Sequence, residues 1–280
     1  LCQDDVLELL PGSESLEFND KSGIHRLLGN VNFKYQGNIM FCDSAHYHEQ
    51  KKTVRAYGNV HIKKADTLNL FCDSLLYQGR IKKATLWGNV RARDKEFKLT
   101  TERLYYDSES SQAFYTSGGQ VQSSTSNEML TSTVGYFHPE SKNFFFSKNV
   151  EYQGENLTMN TDTLRYLYNQ KKTYFHGPTQ IQSEASLLYC ESGWYNTSSK
   201  EGKLIKNAWI SRDSDYISGD TLYYNPLITE YIGMGNVYYM DSTQNLAFKS
   251  DYAYSSDSLN YSLLTGHAVA SKIMDNDTLH

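Results

Sequence analysis

The chain has 280 residues and a net charge of −5, with basic and acidic side chains interspersed along its length. One compact core rarely serves such a length, so two domains or a repeat array are expected, and the lack of a basic face argues against a nucleic-acid binder. The 23 Tyr and 12 Phe beside only 4 Pro favour half-buried β-strands over helix or disorder. We therefore predict an all-β protein.

A Gly-Asn-Val triplet, or a degenerate version of it, recurs with a period of 29 to 31 residues. Self-similarity at this period is typical of proteins whose units stack, because no single unit can bury its apolar face alone. The nine copies are Gly29-Asn30-Val31, Gly58-Asn59-Val60, Gly88-Asn89-Val90, Gly119-Gln120-Val121, Lys148-Asn149-Val150, Gly177-Pro178-Thr179, Lys206-Asn207-Ala208, Gly235-Asn236-Val237 and Gly266-His267-Ala268.

A second motif lies between successive triplets and consists of a small residue, an acid, Ser or Thr, two further residues and Tyr. Its copies are "CDSAHY" (42–47), "CDSLLY" (72–77), "TERLYY" (101–106), "TSTVGY" (131–136), "TDTLRY" (161–166), "CESGWY" (190–195), "GDTLYY" (219–224) and the degenerate "SDYAYS" (250–255), with "SESLEF" (13–18) as an earlier copy. The repeats define an N-terminal lead-in, residues 1–11, and a single repeat domain, residues 12–280. The final "DNDTLH" resembles the strand opening "ADTLNL" (65–70), so we expect the chain to be a truncated part of a longer protein.

Each repeat is expected to supply two β-strands, each bent once. Apolar residues around the triplets keep period two, which is typical of a strand with one buried face. Leu70 and Leu75 are an odd number of residues apart, so both point inward only if the chain bends near Asp73-Ser74. Gly58-Asn59 can bend the other strand, because Gly accepts backbone angles closed to other residues. The product is an elongated antiparallel meander with two walls and an apolar interior.

The acids of the second motif occur once in nearly every repeat, whereas a catalytic site is local. Hydrogen bonds to nearby backbone at a corner explain them, and a row of shared calcium ions is the alternative. Cys42 and Cys72 occupy the same repeat position roughly 10 Å apart in the meander, too far for a disulfide, and are predicted to be free. His46 and His48 share a strand face but lack a third metal ligand, so solvated rim histidines are favoured over a metal pair.

With both motifs aligned, the chain resembles the OstA-like family of lipopolysaccharide-transport proteins, which includes LptA and the N-terminal domain of LptD. The resemblance rests on the repeated "GNV", on "ADTLNLFCDSLLY"-type strands and on "KKATLWGNV", and it covers residues 12 to 280. It implies an antiparallel β-jellyroll (a "β-taco" solenoid) of about nine repeats, open along one side. Lipid A acyl chains would lie in its interior, with sugars and phosphates outside.

The resemblance also implies a location, partners and a binding surface. The location is the periplasm of a Gram-negative bacterium, in some members with outer-membrane association, and the role is outer-membrane biogenesis. The partners are lipopolysaccharide and other OstA-like modules joined end to end, a homo-oligomer included, with no cofactor, catalytic residue or metal. The interior residues would be Val31, Phe33, Val60, Ile62, Leu70, Val90, Leu99, Met129, Phe144, Phe146, Val150, Met159, Leu188, Ile210 and Ile217.

Two other functions remain open at this point. A structural or adhesive β-solenoid would have a fully packed interior that carries nothing. A carbohydrate-active β-helix enzyme would concentrate acids on one stretch of surface, and the even distribution of the acids counts against it. A non-enzymatic lipid-transport module is therefore the leading hypothesis.

Overall fold

The computed structural model describes residues 8–19, 21–35, 37–64, 68–138, 141–184, 186–225, 227–228, 230–256, 258–274 and 277–279. Regular structure in these ranges is almost entirely β, with one 3₁₀ turn at Tyr168–Gln170. The described residues fall into two compact units, Leu1–Glu140 and Ser141–His280. The predicted all-β class is confirmed.

The first unit contains twelve strands among its described residues. Most of the long ones have 11 or 12 residues, and each pairs antiparallel with the next along the chain. They are β1 (Glu8–Leu9), β2 (Ser15–Asn19), β3 (Ile24–Tyr35), β4 (Asn38–His48), β5 (Thr53–Lys64), β6 (Leu68–Gln78), β7 (Lys83–Arg93), β8 (Phe97–Asp107), β9 (Gln112–Tyr115), β10 (Gly119–Ser123), β11 (Met129–Ser132) and β12 (Val134–His138).

The second unit repeats the same antiparallel meander over its described residues. Its strands are β13 (Asn143–Gln153), β14 (Leu157–Leu167), β15 (Lys172–Ser183), β16 (Ser186–Asn196), β17 (Gly202–Arg212), β18 (Asp215–Asn225), β19 (Glu230–Asp241), β20 (Leu246–Ser256), β21 (Tyr261–Thr265), β22 (Val269–Met274) and β23 (Asp277–Leu279). The predicted antiparallel repeat is thus confirmed in each unit.

Every long strand is interrupted once by a bend at the predicted place. Between β5 and β6 the register passes from Tyr57 opposite Ser74 to Val60 opposite Cys72, so Gly58 and Asn59 together oppose the single residue between them. Such a two-against-one bulge bends the strand and increases its twist. We call the half of each strand that contains residues 53–57 or 74–78 the first arm, and the half that contains 60–64 or 68–72 the second arm, with equivalent residues in the other repeats.

The two arms face each other across one apolar core. In the first unit Ala56 and Leu75 of the first arm belong to the same buried cluster as Val60 and Cys72 of the second arm, and none is more than 5% exposed. The arms touch near the bend in the second unit as well, where a Cβ on Gly233 would lie 3.1 Å from the side chain of Val237. Each unit therefore folds as a bent sheet with its apolar face inside.

One repeat departs from the predicted alignment. Gly119 pairs with Thr101, as Val90 does in the preceding repeat, so the bend lies at Ser117-Gly118 and the assignment of Gly119-Gln120-Val121 as the triplet is wrong by two residues. Ser132 lies opposite Gly119, so the second motif begins there and not at Thr131. The sequence misled because Gly118 and Gly119 are adjacent and the wrong one precedes Gln-Val.

Candidate functional site

The bend consists of two residues with left-handed backbone angles. Gly58 has φ 71° and Asn59 has φ 46°, and the pairs Gly29-Asn30, Gly88-Asn89 and Gly235-Asn236 repeat this geometry. Gly adopts such angles without steric cost, and among the other residues Asn tolerates them best. The recurring Gly-Asn of the triplet is therefore explained by backbone conformation.

The acid of the second motif completes this bend from the preceding repeat. The side-chain amide of Asn59 donates a 2.9 Å hydrogen bond to the carboxylate of Asp43, and Asn89 donates an equal one to Asp73. The acid and the amide are sixteen residues apart in every such pair. The others are Glu14 with Asn30, Glu191 with Asn207, Asp220 with Asn236, and Asp251 with the ring of His267.

These pairs give six of the periodic acids a structural role, whereas Glu102 and Asp162 have Gly118 and Pro178 in place of the partner. The Glu191 carboxylate also accepts a hydrogen bond from the Lys206 ammonium. This bond is the main cause, and the bond from Asn207 the second cause, of a lowered pKa at Glu191. Within the described residues no group of three or more His, Cys, Asp and Glu side chains is placed to hold a metal ion. His46 contacts the ring of Tyr57 edge-on. The prediction that the acids lie at corners is confirmed, but their partners are side-chain amides of the next bend and not the nearby backbone that was expected.

At several positions of β5 and β6, burial decreases away from the bend. Val60, next to the bend, is 1% exposed, whereas Ile62, two residues farther along the same face, is half-buried. Leu70 is likewise half-buried beside the buried Cys72, and Tyr77 beside the buried Leu75. The half-buried residues pack against the core without being covered. At these positions the interior is therefore closed next to the bend and partly accessible farther out, whereas Phe33 and Met159 are buried at the equivalent positions of other repeats.

The residues expected to line the interior divide by burial. Eight are buried: Val31, Val60, Val90, Phe146 and Val150 next to the bend, and Phe33, Phe144 and Met159 two residues farther along their arms. Six are half-buried: Ile62, Leu70, Leu99, Leu188, Ile210 and Ile217. We call these six, together with Met40, Tyr47 and Tyr77, the rim residues.

Met129 is the exception among the predicted interior residues. It lies opposite Gln122, and its sulfur contacts the amide of Gln120 at 2.9 Å on the outer face of the second arm. Leu130 lies opposite Val121 and is buried, so it takes the interior position. The assignment of Met129 to the interior is wrong, because the second motif of this repeat begins at Ser132 and not at Thr131.

Comparisons with known proteins identify the family. The sequence profile described as OstA-like protein matches residues 12–162, more than half of the chain. The chain belongs to the OstA-like family. Among solved structures it is similar to LptH of Pseudomonas aeruginosa, described as the LptA homologous periplasmic component of the conserved lipopolysaccharide transport device. That likeness has 13% identity and a TM-score of 0.34, and covers 38% of this chain and 78% of LptH. A search of curated proteins found no match.

In this OstA-like chain the first arm contributes further interior residues beyond those that the family resemblance implied. Leu75, Leu86 and Leu104 are each at most 3% exposed and face the second arm across the core. A signal for them was present, because each lies three residues after the start of a second motif or two residues before a triplet. Apart from Phe144 and Phe146, the residues that the resemblance implied come from the second arm, and they describe mainly one wall of the interior.

Where the repeat sequence departs from its usual pattern, a large side chain on one strand compensates for a small residue on its neighbour. Gly135 occupies the position of Leu75, and a Cβ there would lie 2.5 Å from the ring of Tyr115, which fills the vacated space. The Tyr115 hydroxyl lies 2.7 Å from the hydroxyl of Ser132 and is buried with it. This OstA-like chain thus keeps its core packed while the residues that pack it change.

The described cysteines are structural. Cys42, Cys72 and Cys190 are free and buried, as predicted for Cys42 and Cys72. Burial raises the pKa of the Cys72 thiol to about 12 and that of Cys42 to about 11. Because the thiolate is the reactive form, these groups behave as small apolar residues of the core.

No helix among the described residues is long and apolar enough to cross a membrane.

Proposed function

We propose that this OstA-like chain is a non-enzymatic module that holds the acyl chains of lipopolysaccharide between its two arms. The observation that carries the proposal is the layer of half-buried apolar rim residues above a closed apolar core. Each methylene transferred from water to such a surface contributes about 0.8 kcal/mol, so a chain can bind without specific polar contacts. Family membership supports lipopolysaccharide as the source of those acyl chains.

The rim also suits movement of the bound chain. Ile62 lies opposite Leu70, and Ala92 lies opposite Leu70 on the next strand, so apolar side chains succeed one another across neighbouring strands. Sites of similar composition at strand spacing have similar affinities, which favours sliding over trapping. We place the module in the periplasm of a Gram-negative bacterium, in outer-membrane biogenesis, on the strength of its family.

Strands β2 and β21 offer surfaces for joining further modules, since among the described residues β2 pairs with β3 alone and β21 with β20 alone. β2 exposes Leu16 and Phe18, each more than half accessible, and β21 exposes Tyr261 and Leu263. Unpaired strand edges with apolar side chains template pairing with another sheet. We propose end-to-end association with other OstA-like modules, a second copy of this chain included. Light scattering of the chain and of a Phe18→Lys variant tests this, because the variant should lower the associated fraction.

Photo-crosslinking tests the lipid site directly. A photoreactive residue in place of Ile62 or Leu99 should form a crosslink to lipopolysaccharide, both with the purified lipid and in cells. Lys63 and Lys98 are the matched controls, since each is the neighbour on the same strand and points to the opposite face. Labelling at Lys63 as strong as at Ile62 would sink the proposal.

A packed structural solenoid is the second candidate, and the full burial near the bend favours it. Val31, Phe175 and Cys190 have no measurable exposure, so no lipid reaches the innermost layer of the interior without displacing side chains. If neither Ile62 nor Leu99 labels and replacing either of them by Asp unfolds the chain, because a charge is then buried without a partner, the packed solenoid is selected.

A further inference from the structure

The repeat that departs from the alignment has lost the amide that covers its acid. Sixteen residues after Glu102, where the neighbouring repeat has Asn89, stands Gly118. Gly118 has φ 93°, and a Cβ added to it would meet nothing within 4 Å. This bend is therefore open where its neighbours in the first unit are filled by an asparagine side chain.

A cleft of about 630 Å³ occupies this place. Most of the side chains that line it are polar, and Arg91, Thr100 and Gln120 belong to the outer face of the second arm, because they alternate with interior residues. Its full lining is Asp73, Asn89, Val90, Arg91, Thr100, Thr101, Glu102, Gly118, Gly119 and Gln120. The cleft therefore opens on the side of the sheet opposite to the proposed lipid site.

The charges in the cleft disfavour an anionic ligand. Asp73 and Glu102 carry two negative charges against the single positive charge of Arg91. The Asp73 carboxylate already accepts a hydrogen bond from Asn89, whereas Glu102 has a glycine at the position of that donor. Carboxylates accept hydrogen bonds, and guanidinium, amide and hydroxyl groups donate them, so the lining suits a neutral ligand with several hydroxyl groups.

An aromatic row leads up to the cleft along the same face. Phe41, His61, Phe71, Arg91 and Thr100 lie opposite one another in register on five successive strands. The rings of His61 and Phe71 are stacked at 4.3 Å with an angle of 9°, and the Arg91 guanidinium lies 5.5 Å from the Phe71 centroid. Phe41 is 39% exposed at the far end of the row. The stacked rings of His61 and Phe71 cover each other's faces, so the row presents ring edges beside hydrogen-bonding groups, and the exposed Phe41 offers the apolar surface that a sugar ring requires.

We propose that this cleft and its aromatic row bind a neutral oligosaccharide. Glu102 accepts hydrogen bonds from the sugar hydroxyl groups, and Gln120 and Arg91 donate hydrogen bonds to them. Phe71 and Phe41 lie along the path of a longer oligosaccharide. The proposal does not rest on lipid binding, since the cleft and the rim residues lie on opposite faces of the second arm. Oligosaccharide binding gives the open bend a function, which the packing of the core does not.

Saturation-transfer NMR on the full chain tests it with neutral gluco-, galacto- and manno-configured tetrasaccharides as probes. At least one probe should receive saturation at its ring CH protons. Gly118→Asn restores the residue that Asn59 and Asn89 supply elsewhere, fills the cleft and gives Glu102 a donor, so it should weaken binding at least about tenfold. Glu102→Gln, which keeps the shape of the side chain, should also weaken it about tenfold.

Arg93→Gln is the matched control, because Arg93 lies on the outer face of β7 two residues from Arg91 and outside the cleft. Its affinity should equal that of the unmodified chain, and circular dichroism of all variants should show an unchanged β-fold. Transfer to none of the three tetrasaccharides overturns the proposal. Binding that Gly118→Asn leaves unaltered also overturns it, because the ligand would then lie elsewhere.

Discussion

The amide of Asn59 and the carboxylate of Asp43 join two different repeats through a 2.9 Å hydrogen bond at the bend. Asn59→Gly keeps the left-handed backbone and removes only this bond, so it should lower the free energy of unfolding by about 0.5–1.5 kcal/mol. Asn59→Ala should cost about 1 kcal/mol more, because Ala resists the φ of 46°. Urea denaturation measures both, and equal losses for the two variants would contradict the role of backbone angle.

Gly58→Ala should destabilise the chain more than its backbone angle alone explains. Its φ is 71° and its Cβ would collide with the carboxylate of Asp43. Gly37→Ala is the matched control, since Gly37 has φ 76° and open space around its Cβ position. Thermal unfolding should show Gly58→Ala at least about 1 kcal/mol less stable than Gly37→Ala. Similar stabilities would mean that Asp43 moves aside freely.

The exchange of volume between Tyr115 and Gly135 predicts a rescue. Gly135→Ala should cost about 1–3 kcal/mol, because the new methyl group would lie 2.5 Å from the Tyr115 ring. Adding Tyr115→Leu, the residue type found at the equivalent Leu86, should recover part of that loss. Ser132 keeps a partner in the double variant, since its hydroxyl donates to the carbonyl of Val134. A double-mutant cycle by urea denaturation measures the coupling, and strictly additive losses would exclude this contact as the cause.

The buried thiols predict a loss of stability in alkali. A thiol whose pKa is higher in the folded than in the unfolded chain holds its proton more tightly when folded. The pKa of Cys72 is about 12 in the folded chain against an ordinary value of 9.0, so its contribution is complete below pH 9 and is lost as the pH rises toward 12. In a Cys2→Ser background, Cys72→Ala should flatten the fall in urea midpoint between pH 9 and 11. An unchanged slope would show that other groups cause the fall.

Thiol labelling gives a second test of the same burial. In the Cys2→Ser background, Cys42, Cys72 and Cys190 should react with a disulfide reagent at pH 8 only as fast as the chain unfolds, because all three are buried. Full and rapid reaction of native protein would contradict their place in the core.

The spacing of Leu70 and Leu75 was sufficient to predict a bend, because inward side chains an odd number of residues apart cannot lie on a straight strand. The same logic predicted most of the interior of the second arm. It did not predict that burial changes from complete at Val60 to partial at Ile62, since exposure depends on how far the arms separate. Sequence spacing carries no information on that distance.

The repeat around Gly118 shows where motif alignment fails. Two adjacent glycines left the triplet ambiguous, and its second motif has Thr133 where other repeats have an acid. The sixteen-residue spacing resolves both positions, because it connects Glu102 to Gly118 and Thr133 to Asn149. This spacing is visible in the sequence, but its physical meaning depends on the contact between Asp43 and Asn59.

The hydrogen bonds at the bends also restrict where this chain can change length. The segment from each acid to its amide is sixteen residues long wherever the bond forms. The segment from the amide to the next acid varies, with thirteen residues from Asn30 to Asp43 and fifteen from Asn236 to Asp251. Insertions should therefore be accepted in the turns at the tips of the second arm and rejected in those of the first. Engineered loops, tags or reporter peptides belong on the second-arm side.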